Sequence, residues 1–263
     1  MATRVPQGVR RGPCHLSYGR DMLACMPLRL IRSDTNAALW TACSESFLDA
    51  VGKLSGPSGY PDFLLLTHRV QRDVFLEQAA VAGVPGWLGP PMAFFSDLRH
   101  MFGIEARPVG ILTGRMLVAR LAGQTALRVG VRTAGRERGP AGTHMLDRVF
   151  SELLPEGVTP ESLRGALEPL ARDEFTRRRN DWVADTYEEF LRELDERQLY
   201  DPRSIHAMVA RRIEQGGLSG ALGGAGRLHV LGVTSLRTRQ RLFRALADQD
   251  EVEVRVYLPL EDE

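Results

Sequence analysis

Lysine is almost missing from this chain. The basic residues total 34 in 263, yet Lys53 is the single lysine and the rest are arginine. Every mechanism that needs a lysine must therefore use Lys53. A phosphate-binding loop of the form G-x-x-x-x-G-K-[S/T] needs stacked backbone N–H groups and a lysine to neutralise phosphate. Around Lys53 the next residue is Leu54 and Phe47 stands at the first glycine position, so that loop is excluded. A nuclease centre with an acid two residues before the lysine is excluded by Val51. No neighbour of Lys53 is placed to lower its pKa for Schiff-base chemistry.

Other absences exclude other classes. Cysteine is scarce: Cys14, Cys25 and Cys43 all lie in the first 43 residues and make no disulfide framework, so a reducing, cytoplasmic setting is expected. No C-x-x-C or H-E-x-x-H pattern supplies a metal ligand pair, and no metal or cofactor is expected. There is no G-x-S-x-G elbow. No apolar run approaches the ~20 residues that span a bilayer, so no membrane partner is expected. His15, His68, His100, His144, His206 and His229 are scattered and read as surface or packed side chains. No catalytic set is assembled.

What remains is an ordinary globular balance of 43% hydrophobic and 25% charged residues with a net charge of +1. Residues 1–25 read as a disordered tail, compatible with a transit peptide or with Met26 as the true start. From residue 26 to about 110, short apolar runs alternate with amphipathic stretches. PLRLIR is strand-like. The helix after it puts Leu39, Trp40, Cys43, Phe47, Leu48 and Val51 on one face. FLLLT is fully apolar at strand length, as in a buried parallel strand. A helix closed by Gly83 follows, then the strand MAFF and a helical turn capped by Ser96. From 111 to 215 the strand signals mostly vanish and a helical insertion is expected. Its helices include one opened by Thr159-Pro160 and one over 181–199 with a Val183, Tyr187, Phe190, Leu191, Leu194 stripe. Residues 130–142 read as a loop. The glycine-rich 216–226 segment precedes a strand rather than following one, so it reads as a flexible connector and not a dinucleotide loop. Strand pattern returns over 227–263, with a basic helix (Arg237, Arg239, Arg241, Arg244) burying Leu242, Phe243 and Leu246. The alternation implies an α/β fold with a parallel sheet, and the small strand number implies a truncated one.

The order of these parts resembles the N-terminal, helicase-like region of AddB-type subunits of ATP-dependent helicase–nucleases. The residues that carry it are FLLLTHRVQRDVFLEQ at 63–78, MAFFSDLRHMFG at 92–103, DRVFSELLPEGVTPESLRGAL at 147–167, VADTYEEFLRELDERQLYDP at 183–202, LHVLGVTSLRTRQRLFRAL at 228–246 and the Leu-Pro at 258–259. The resemblance covers about residues 26 to 260, the first motor domain only. The second motor domain, the nuclease and the iron–sulfur cysteines have no counterpart.

The resemblance implies a P-loop-NTPase-like (RecA-like) sheet with a helical insertion and a decayed nucleotide site. Ser33, Asp34, Thr35 and Asn36 stand where the phosphate loop belongs, without its glycines or lysine. Gly232, Val233 and Thr234 stand where an Asp-Glu pair would hold Mg²⁺ and the attacking water. The implied role is non-catalytic: a DNA-repair and recombination module that guides single-stranded DNA, or broken double-stranded DNA, beside an active motor subunit. His68, Arg69, Gln71, Arg72, Phe95 and His100 are the implied strand contacts, as phosphate donors and stacking groups. The alternatives are an α/β transferase acting on a sugar or nucleotide through Asp34, Thr67 and Thr234, or an inactive fragment.

Overall fold

The structure is a computed structural model and describes residues 28–52, 60–84, 91–130, 140–236 and 239–260. The chain runs β1 (Leu28–Ser33), α1 (Asn36–Gly52), β2 (Asp62–Leu66), α2 (Arg69–Val81), β3 (Met92–Phe94), α3 (Leu98–Met101) and β4 (Arg107–Pro108). It continues through α4 (Ile111–Val129), α5 (Pro140–Glu156), α6 (Pro160–Leu167), α7 (Glu174–Glu196), β5 (Leu199–Tyr200) and α8 (Ile205–Glu214). Last come α9 (Leu218–Ala221), β6 (Arg227–Leu231), α10 (Gln240–Ala247) and β7 (Glu253–Pro259).

Five strands form one all-parallel sheet in the order β1-β7-β6-β2-β3. Period-two side-chain alternation explains why FLLL is apolar throughout. Leu64 and Leu66 face a core with Leu39, Cys43, Phe47 and Val51 of α1 and Phe75 of α2. Leu65 faces the opposite core, shared with α3, α8, α9 and α10. Strands β6 and β7 alternate likewise, with Leu231 and Tyr257 on the first side and Val230, Val254 and Val256 on the second. The helical stripe expected on α1 packs there, Trp40 and Leu48 at its edge.

The insertion has its own core. Trp182, Tyr187, Phe190 and Leu194 of α7 meet Leu121 and Ala122 of α4 and Phe150 and Leu154 of α5. Trp182 Nε1 donates to Ala122 O at 2.9 Å, and the Thr125 and Thr186 hydroxyls pair at 2.7 Å. Buried polar groups inside this core are thus bonded, as burial requires. The β4–β5 pair ties the insertion's entry to its exit. Within 111–215, α8 packs on the sheet: Val209, Ala210 and Ile213 join the sheet core.

Several local expectations are corrected. Helix α7 begins at Glu174, before the apolar stripe, because Asp173 accepts from Thr176 N and Glu174 pairs with Arg177 and Arg178. Helix α6, expected to run through SLRGALEPLARD, ends at Leu167 and tightens into a 3₁₀ turn at Glu168–Leu170, where Pro169 has no N–H to continue it. Helix α5 starts at Pro140, inside the expected loop. Asp97 rather than Ser96 fastens the turn after β3, accepting from Phe94 N at 3.0 Å. The 216–226 segment contains α9 and sends Leu218, Leu222 and Ala225 into the core, so its apolar residues outweigh its glycines. Lys53, Cys14, Cys25, Arg237 and the 1–25 tail lie outside the described residues. Among the described residues no helix is long and apolar enough to cross a membrane.

Candidate functional site

In an open parallel sheet, ligands favour the crevice at the strands' carboxyl ends where neighbouring strands send their connections to opposite faces. Here one such point falls between β2 and β6. The chain leaves β2 for α2 on one face and leaves β6 for α10 on the other. The crevice therefore brings Thr67 and Gln71 against Gly232.

The crevice is filled by the protein's own groups. Gln71 Oε1 accepts from Thr67 N at 3.1 Å and His68 N at 3.0 Å. The Thr67 hydroxyl lies 3.2 Å from Gln71 Oε1 and 3.3 Å from Gly232 O, and donates to one or the other. Gly232 has φ +89°, and a Cβ there would sit 2.2 Å from Thr67 Oγ1 and 2.6 Å from Gln71 Nε2. Only glycine admits this close approach. Val233 is buried and Thr234 exposed.

The β1–α1 turn is equally closed. Only Asp34 and Thr35 separate strand from helix. Thr35 Oγ1 caps α1 by accepting from Ala38 N at 3.2 Å, and Ser33 Oγ accepts from Thr35 N at 3.4 Å. Two residues cannot wrap a phosphate, and the Asp34 carboxylate stands at the helix end that would attract one. Ser33–Asn36 and Gly232–Thr234 lie on the same sheet edge with β7 between them, about 10 Å apart at the usual strand spacing.

The six strand-contact candidates separate into groups. His68 and Arg69 are exposed beside the plugged crevice, and Arg69 has no ion pair among the described residues. Gln71 is committed to the plug. Arg72 pairs with Asp73 at 3.1 Å and lies over the Phe94 ring. Phe95 is not an open stacking face: Arg239 covers it at 4.7 Å and His206 meets it edge-on at 6.0 Å. His100 is exposed on α3, with no side-chain hydrogen bond or ring contact to the other five. Burial, then the Arg239 charge, lowers the His206 pKa to about 4, so the ring is neutral.

A second polar assembly lies beneath the sheet's amino edge, and its pattern was not visible in the sequence. Asp62 is 1% exposed and His229 is 0% exposed. Arg227 donates to both Asp62 oxygens, at 3.1 and 3.0 Å. His229 Nε2 lies 2.7 Å from Asp62 Oδ2, and Nδ1 lies 3.0 Å from the Tyr257 hydroxyl. Burial works against the Asp62 charge, but hydrogen bonds from His229 and Arg227 outweigh it and hold the carboxyl below its usual range. Burial likewise holds His229 neutral, against the pull of Asp62. Nε2–H then donates to Asp62, which leaves Nδ1 to accept from Tyr257. The Tyr257 oxygen bonds Cys43, whose thiol is pushed up by burial. A thiolate is the reactive form, so this carboxylate–imidazole–phenol–thiol chain is a structural tie across β2, β6, β7 and α1.

Among the described residues no group of three or more His, Cys, Asp or Glu is placed to hold a metal ion. The fold and site define a parallel α/β protein whose switch-point crevice is closed by its own side chains. No protein-family model matches the chain, and no curated protein matches it.

Proposed function

We propose that this chain is a non-catalytic, helicase-like domain of a DNA double-strand-break repair helicase–nuclease. It holds single-stranded DNA along the carboxyl edge of its sheet and scaffolds an active motor subunit, in the cytoplasm. The finer fold reading is a P-loop-NTPase-like (RecA-like) sheet that has lost its nucleotide site.

One observation carries the reading. Both places assigned to the nucleotide by resemblance are refilled from within: a Thr35-capped two-residue turn after β1, and the Thr67–Gln71–Gly232 plug after β6. The strands β1 and β6 are parallel and end on one edge with a single strand between them, as a shared ancestral site requires. Arg69 stands exposed beside the plug, free to neutralise a phosphate.

Polarisation of a labelled single-stranded oligonucleotide against salt tests this. Affinity is expected to fall with salt at a slope of about −0.7 per phosphate contacted, and Arg69→Ala to reduce that slope by about one contact. Absence of binding at low salt overturns the strand-guiding role. A melting shift with ATP–Mg²⁺ or a sugar nucleotide overturns the loss of the nucleotide site and favours a transferase.

A further inference from the structure

Among the described residues, Arg239 is a cation without a counter-charge. It is half-buried at the foot of α10, on the carboxyl side of β6. Its Nε is buried and has no hydrogen-bond partner, and among the described residues no carboxylate pairs with its guanidinium. Other half-buried arginines are answered: Arg203 by Asp201 at 2.8 Å, Arg227 by Asp62 at 3.0 Å, Arg241 by Glu214 at 3.1 Å. A partly desolvated charge with no partner is costly to keep.

The surroundings say what would relieve that cost. The guanidinium carbon lies 4.7 Å from the centre of the Phe95 ring, a contact that holds the group in place and occupies none of its N–H donors. His206 meets the same ring from the side. Its imidazole has no hydrogen-bond partner among the described residues and, being neutral, carries one N–H donor. The first turn of α10 follows directly and has no side-chain cap. All three features donate, and none accepts a positive charge.

We infer that Arg239 and His206, both packed against Phe95, form a subsite for a phosphate group. Planar, bidentate recognition of a tetrahedral oxyanion is the task for which a fixed guanidinium suits best. The group comes from a free phosphate or from the phosphodiester of a strand; the chemistry is shared. The subsite stands apart from strand binding at Arg69, because the two lie on opposite sides of the crevice between β2 and β6.

The full chain, ¹³C,¹⁵N-labelled on histidine, is titrated with sodium phosphate, with sodium chloride at matched ionic strength, and with a short single-stranded oligonucleotide. The His206 ring signals are expected to shift saturably with phosphate, the oligonucleotide or both, and not with chloride. Response to phosphate alone assigns a small-anion site; response to the oligonucleotide alone assigns a strand phosphodiester. Arg239→Gln is expected to weaken the response by about tenfold or more, and Arg239→Lys by less. The inference is overturned if His206 answers neither ligand, or if Arg239→Gln binds as the parent does. Should the glutamine variant not fold, the parent titration and the lysine variant decide. Where the oligonucleotide moves the His206 signals, strand binding that persists unchanged in Arg239→Gln would sink the phosphodiester assignment and leave the strand-guiding reading intact.

Discussion

Gly232→Ala is the most direct probe of the plugged crevice. The new Cβ would stand 2.2 Å from Thr67 Oγ1 and 2.6 Å from Gln71 Nε2, at a backbone φ of +89°. The positive φ alone costs a non-glycine residue about 1–2 kcal/mol. Expelling Gln71 breaks its bonds to Thr67 N and His68 N, each worth about 1 kcal/mol. A loss near 3 kcal/mol is expected, read as a fall in Tm of about 6–12 °C for a chain of this size. The same substitution made on Gln71→Ala has room for the methyl after a rotation of Thr67, and should cost only the backbone strain. Urea unfolding of the four proteins measures the coupling, expected at about 1–2 kcal/mol. If Gly232→Ala is neutral within about 0.5 kcal/mol, or costs the same with and without Gln71, the plug described above is not formed.

Two further outcomes follow from the buried groups. Asp62→Ala removes the acceptor of Arg227 and His229 in a dry site, and is expected to cost about 3–5 kcal/mol by urea unfolding; a cost below about 1 kcal/mol would mean the tie across β2, β6 and β7 carries little stability. The His206 pKa is lowered from 6.5 to about 4 in the fold. Between those values the unfolded chain binds the extra proton, so stability is full above pH 6.5 and declines as pH falls toward 4, by up to about 3 kcal/mol. His206→Gln should therefore gain on the parent over that window, and a constant difference between the two from pH 7 to 4 would refute the assignment.

Elements with a strong local signal were legible in advance. The FLLLT run, the α1 stripe with Cys43 and Phe47, and the Leu242–Phe243–Leu246 face of α10 each carry their burial in their own periodicity. Boundaries set by single polar contacts were not: the start of α7 depends on Asp173 and on ion pairs from Glu174, where the sequence shows only a polar stretch. At the candidate site the residue types were legible and their engagement was not. Gln71 reads as a free polar side chain until β6 brings Gly232 against it, and Phe95 reads as a stacking face until Arg239, 144 positions further on, covers it.

The chain's own chemistry decided what it could not do. With one lysine and neither the first glycine nor the hydroxyl residue of a phosphate loop around it, a lysine-bearing phosphate loop is excluded whatever the fold, because a missing functional group cannot be supplied by packing. Tertiary structure alone decided which remaining polar groups are spent and which are free. The order β1-β7-β6-β2-β3 juxtaposes residues more than 160 positions apart, closing Thr67 on Gly232 and Asp62 on His229. It also leaves the Arg239 guanidinium without a carboxylate among the described residues. Those pairings are long-range contacts, and no local periodicity encodes them.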